Sequence, residues 1–303
     1  MANLNRMAED TLETDESLWQ ALRRGFHPVD VLLLASVPVA ILGVFALSPA
    51  TRGTLVFQYT TPSIPTAFTA PFVHFDSGHL LFNLVGYTLV VPILYALSLD
   101  AGDDWEFRVV FVALLASSPI LLSYLNLTIL RSGVTFGFSG VLMAYYGYLP
   151  LVVAKHATTR LQLGDTRTAA PLLFFLGLLL ATVQLLRAVV ANPVTVAVDG
   201  APASVTWVLV ATLAEVVVLL LLVIVFYSLS GSGSYERLRA SARRAFERGS
   251  RADLTIVALL VLVAMPFVTF PVDPIAGQRV FNLYVHFVGY ALGFISTYVY
   301  HTL

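Results

Sequence analysis

Eight stretches of this chain are too apolar to be covered by water, and they decide what it can fold into. They run over residues 29–48, 79–99, 107–125, 139–154, 170–190, 204–228, 254–271 and 281–301. About 20 mostly apolar residues suffice for an α-helix to cross a bilayer. Within lipid only a helix satisfies every backbone N–H and C=O of such a stretch. Composition agrees: 58% of the 303 residues are hydrophobic and 12% charged, against about 25% charged in soluble domains. The expectation is an all-α polytopic membrane protein with eight transmembrane helices. The fourth stands out as short and glycine-containing.

Residues 1–28 are polar and form a cytoplasmic N-terminal tail, either disordered or with a short interfacial helix near Leu18 to Phe26. Residues 29–303 form the transmembrane domain. No apolar region with a small-residue cleavage site follows a basic start, so a signal peptide is rejected. A net charge of -1 gives no basic field for nucleic acid. The chain has no cysteine, which excludes disulfides, thiol nucleophiles and Cys-ligated metals.

Orientation follows from Lys and Arg in the loops. With both termini cytoplasmic, thirteen of the 17 basic residues lie inside. The loop 231–253 supplies much of that bias. Its arginines from 237 to 251 suit an orientation signal and a contact with lipid headgroups.

Three segments carry candidate chemistry. Gly133-Val-Thr-Phe-Gly-Phe-Ser-Gly140 leads into the fourth helix and puts Ser139 at its N-terminus, where free N–H groups and the positive dipole end gather. Such a serine is either a helix cap or a nucleophile whose oxyanion meets backbone donors. Gly137 and Gly140 allow a tight turn and a close helix approach. In the second helix, His79 and Asn83 share one face. His74 precedes them. This group suits an oxyanion hole, interfacial anchoring, or a metal site lacking its full ligand set. In the eighth helix, His286 lies one turn into the membrane and needs a partner. Gly289 and Gly293 share its face, matching a face of Gly140, Ala144 and Gly147 on the fourth helix. If these faces meet, Ser139 and His286 come together. Helices two, four and eight all run from outside to inside, so His79, Ser139 and His286 share one depth near the outer face.

These patterns, His74-(x4)-His79-(x3)-Asn83, Gly137-x-Ser139-Gly140 and His286-x2-Gly289-x3-Gly293, resemble in identity and order those of the rhomboid family of intramembrane serine proteases. The resemblance covers about residues 30–155 and 275–303. It implies a rhomboid-like helical bundle, here a six-helix core plus two extra helices. It implies an endopeptidase hydrolysing peptide bonds in or near transmembrane segments of single-span or polytopic membrane proteins. Ser139 would be nucleophile and His286 general base. His79, Asn83 and backbone donors at Ser139 would form the oxyanion hole. His74, Gly137, Gly140, Gly289 and Gly293 would support the site. No cofactor or metal is implied. The expected place is the plasma membrane, with the site near its outer face. Two departures stand out. Met143 replaces an aromatic that often packs on the histidine, and the outer loop 49–71 lacks the family's Trp-Arg pair. It keeps Phe57, Tyr59 and Phe68, which with Phe72 suit the interface.

The alternatives are a catalytically inactive rhomboid-like helix-binding protein and a transporter. Glu215, near the middle of the sixth span, is a functional candidate by its depth; the readings are a protonated carboxyl group, structural pairing with Gln184 on the preceding span, or a proton relay. His27, His156 and His301 read as interfacial or loop histidines. The sequon at Asn126 lies too near the membrane to be used.

Overall fold

The computed structural model of the protein describes residues 17–129, 132–198, 201–230, 249–273, 275–276, 279–280 and 282–302. The arginines between 237 and 248 fall outside them. All eight apolar stretches are helical: α2 (Pro28–Phe45), α5 (Ser77–Ala101), α6 (Asp104–Leu125), α7 (Ser139–Leu161), α8 (Thr166–Ala191), α9 (Thr206–Ser230), α10 (Ser250–Thr269) and α11 (Leu283–Thr302). Short helices α1 (Leu18–Gly25), α3 (Pro49–Thr54) and α4 (Ile64–Thr69) complete the helical set among the described residues, with two 3-10 turns. Six of the eight are long and apolar enough to cross a membrane, the makeup of a membrane protein. The other two, α7 and α11, are those that carry Ser139 and His286.

Helix α7 is the axis of the bundle. It packs against α5, α6, α8, α10 and α11, and every residue from Gly140 to Tyr146 and on to His156 is buried. It also runs further than its apolar stretch, to Leu161, because its polar end is paired. Lys155 Nζ lies 2.9 Å from Asp103 and 2.7 Å from Glu106. His156 is not the interfacial or loop histidine expected: it is fully buried, 2.8 Å from Asp100 and 3.0 Å from the Thr255 hydroxyl. Arg251 Nε closes on the same Asp100 carboxylate at 3.0 Å, and Arg160 donates to the Asp100 carbonyl. This knot joins α5, α7 and α10 at the end of the bundle away from Ser139.

Three of the helices contain a proline whose lost N–H is answered by a tyrosine. A proline at position i frees the carbonyl at i−4, and a freed carbonyl in an apolar interior is costly. Pro38 frees Leu34, which accepts from Tyr87 Oη at 2.8 Å. Pro171 frees Arg167, which accepts from Tyr298 Oη at 3.3 Å. Pro266 frees Leu262, which accepts from Tyr146 Oη at 2.5 Å. The last bond fastens α10 to α7.

Part of the N-terminal segment is docked. Ser17 and Gln20 form a reciprocal cap at the start of α1, Ala21 is buried, and Gly25 lies against Leu99 of α5. Strand β1 (Phe57–Gln58) pairs antiparallel with β2 (Val134–Thr135), tying the 49–72 connection to the loop before Ser139. Of the aromatics expected at an interface, Phe57 is instead buried, edge-on to Tyr59 and Tyr124. Hairpins β3 (Thr195–Val198) with β4 (Ala201–Ser204), and β5 (Ile275–Ala276) with β6 (Arg279–Val280), join α8 to α9 and α10 to α11.

The Glu215–Gln184 pairing is not formed. Gln184 is buried and accepts from Arg187 Nη1 at 2.7 Å, one turn along its own helix. Glu215 is exposed on α9.

Candidate active site

Ser139 and His286, 147 residues apart, meet. Their Oγ and Nε2 atoms are 2.9 Å apart. Ser139 is not the helix cap: it is the first residue of α7, and Phe138 holds the cap position without a side-chain bond. The backbone N–H groups that open a helix have no partner within it, so Ser139 stands at an end of α7 that offers donors.

The tautomer of His286 follows from its other contact. Nδ1 lies 2.8 Å from the Thr269 carbonyl, at the C-terminus of α10. A carbonyl only accepts, so Nδ1 carries the proton and donates it. In the neutral ring Nε2 then holds a lone pair, and the Ser139 hydroxyl donates to it. The imidazole is 2% exposed. Phe270 packs edge-on against it at 5.8 Å between ring centroids. The aromatic at His286 is thus Phe270, the residue just past the end of α10, and not position 143. Met143 stays close by, its Cβ beside Gly289.

The glycine faces meet as the spacing predicts. A Cβ on Gly289 would collide with the Gly140 carbonyl, one on Gly293 with the Ala144 carbonyl, and one on Gly147 with the Tyr290 carbonyl. Helices α7 and α11 thus touch backbone to backbone, which only glycine permits. At the site end, Asn282 Nδ2 donates to Asn126 Oδ1 at 3.0 Å, and Asn126 donates to Tyr59 Oη at 2.8 Å. Asn126 is fully buried, with its amide engaged on both sides and no space in the fold for a glycan.

His79 lies next to the Ser139 loop. Gly137 has φ of 101° and leaves the space where a side chain would strike the His79 ring. A residue with a Cβ fails there twice, by conformation and by contact. The Gly137 N–H is held by the Ala70 carbonyl at 3.1 Å. His79 Nδ1 is buried and has no hydrogen-bond partner among the described residues. Asn83 stands one step behind. Its Nδ2 donates to the His79 carbonyl and to His74 Nε2, both at 3.0 Å. His74 Nδ1 lies 3.3 Å from the Phe72 carbonyl, so His74 adopts the same tautomer as His286. The three residues are together, with the Asn83 amide hydrogens spent on holding the two histidines. Arg52 donates to the His74 carbonyl and sits over the rings of Phe45 and Phe75. No group of three or more metal-ligating side chains occurs among the described residues.

Two spaces lie near the pair, and neither is lined by Ser139 or His286 themselves. A cavity of about 30 Å³, with room for a water molecule, is lined by Ser123, Asn126, Thr135, Gly137 and Gly140. A groove of about 380 Å³ runs between α5 and α10 over Gly78, Phe82, Gly86, Met265 and Val268, with Leu142 at its floor. Its walls are almost wholly apolar.

Sequence reasoning missed Thr269, Phe270, Asn282 and Tyr146. For Thr269 no sequence signal exists, since the contact is a backbone carbonyl. No family model, curated protein or solved structure matches this chain.

Proposed function

We propose that this protein is an intramembrane serine endopeptidase of the rhomboid kind, with all eight long helices spanning the bilayer. The observation that carries the reading is the Ser139–His286 contact of 2.9 Å with Nδ1 fixed on a carbonyl, inside a bundle of membrane-length helices. Oγ attacks the scissile carbonyl while its proton passes to Nε2. The developing imidazolium keeps its Nδ1–H bond to Thr269, so a backbone carbonyl takes the orienting role that an aspartate has in a triad. The oxyanion meets the first-turn N–H groups of α7 and the His79 ring. Nε2 next protonates the leaving amine, and a water molecule, activated by the same nitrogen, releases the acyl group and restores Ser139.

The apolar groove between α5 and α10 fits a substrate helix arriving from the lipid, with local unwinding delivering its peptide bond to Ser139. Substrates are thus membrane proteins, and no cofactor is needed. Among the described residues Arg108, Lys155, Arg160 and Arg251 lie at the end away from Ser139, which favours cytoplasmic termini and a site near the outer face of the cell membrane.

The test is cleavage of single-span reporter proteins in liposomes by the wild type, Ser139→Ala and His286→Ala, each checked for intact folding, beside labelling of Ser139 by a fluorophosphonate. Each variant is expected to lose about 10³-fold or more in rate. Cleavage that survives Ser139→Ala removes the nucleophile. A wild type that neither cleaves nor labels favours a helix-binding protein without catalysis.

A further inference from the structure

Helix α9 carries a carboxyl group that no described residue receives. Glu215 lies nine residues after Thr206, about 14 Å along the axis at 1.5 Å per residue, roughly the midplane of a 30 Å hydrocarbon core. No hydrogen bond or ion pair reaches it among the described residues. Its helix is the most apolar of the six membrane-length ones, with mean hydropathy 3.1. A lone carboxyl group facing lipid at that depth is expensive, and such groups ordinarily face a partner.

The pattern around Glu215 describes the partner. The less exposed positions of α9, from Val210 through Leu213, Val217, Leu220 and Ile224 to Tyr227, recur at alternating spacings of three and four. With them α9 packs on α8, Tyr227 meeting Phe175. The opposite face repeats the same spacing: Thr212, Glu215, Leu219, Leu222, Phe226 and Leu229, all exposed. A seam that alternates three and four is what a left-handed helix pair requires, and a single polar residue within it fixes the register.

We propose that this outward seam is a homodimer interface, in which α9 packs in parallel on α9 of a second copy. Two copies inserted in one direction are related by an axis along the membrane normal. That symmetry puts each Glu215 at the depth of its counterpart, with no matching required from an unrelated sequence. The two carboxyl groups then meet across the seam and hydrogen-bond as a pair.

Because the chain has no cysteine, single thiols report the contact directly. Leu219→Cys, Leu222→Cys and Phe226→Cys, with Leu221→Cys and Ser228→Cys as exposed controls, would each be oxidised with copper phenanthroline in membranes of the expressing cells. The expected result is several-fold more disulfide dimer at the three seam positions than at the controls. Glu215→Gln, which pairs with itself through amides, keeps that dimer in the Leu222→Cys background, and Glu215→Leu lowers it several-fold. Equal cross-linking at all positions, adducts only with another protein, or no effect of Glu215→Leu would each overturn the proposal. The readout is a dimer band and does not depend on the chain hydrolysing anything.

Discussion

Helices α7 and α9 invert the rule that buried means apolar. Helix α9 has mean hydropathy 3.1, yet only 6% of its membrane-length window is buried in the protein. Helix α7 is buried almost throughout, yet is not among the six apolar enough to be assigned a span by hydropathy. In water the hydrophobic effect drives apolar side chains inward. In lipid that drive is absent, and packing and hydrogen bonds hold helices together. Hydropathy in such a chain reports what faces the bilayer. The centre is marked by glycine, hydroxyl groups and paired charges.

That contrast can be broken from either side. The largest effect is expected from Gly293→Leu, which forces a side chain into the Ala144 carbonyl and parts α11 from α7. A loss of about 3 kcal/mol or more is expected, read as a lowered unfolding midpoint in detergent together with lost labelling of Ser139. Next is Asp100→Ala, which leaves His156 and Arg251 facing each other without the carboxylate. It should cost about 3 kcal/mol, the lower end for a broken buried pair because Arg251 is partly exposed. The same unfolding assay checks it, and no change would show the knot to be dispensable. Tyr146→Phe removes one hydroxyl from α7 and strands the Leu262 carbonyl. About 1–2 kcal/mol is expected, and Pro266→Ala in the same chain should restore most of it by giving that carbonyl back its helical donor. The counterpart on the lipid side is Leu221→Ala of α9, expected within about 0.5 kcal/mol of wild type. A larger loss there would mean that α9 has a protein neighbour at that position.

The sequence made some of this legible and hid the rest for physical reasons. Eight apolar stretches became eight helices because lipid leaves the backbone no other choice. The pairing of α7 with α11 was readable because glycines at four-residue spacing can serve only a close approach. The end of α7 was misjudged by seven residues, since its polar turn pairs with Asp100, Asp103 and Glu106 far along the chain. His156 was misplaced for the same reason: its partner lies 56 residues away. One reading paired Glu215 with Gln184, but Gln184 is satisfied on its own helix by Arg187. The support of His286 by Thr269 and Phe270 was invisible, because it uses a carbonyl that every residue has and a ring beyond an intervening hairpin.

The bond from Tyr146 to Leu262 has a mechanical consequence. Helix α10 is pinned near its start by Arg251 and Thr255, and pinned again at Leu262. Beyond that second pin stands Pro266, where the helix has already given up a rung of its ladder. The last turn is the part of the helix past both pins, and its own tie is the Thr269 carbonyl on His286. Met265 and Val268, which wall the apolar groove, and Thr269, which sets the proton on His286, lie on or next to that turn. If the proposed protease reading holds, a swing of this turn that widens the groove would also move the Thr269 carbonyl relative to the imidazole, tying entry of a guest to the proton on Nδ1.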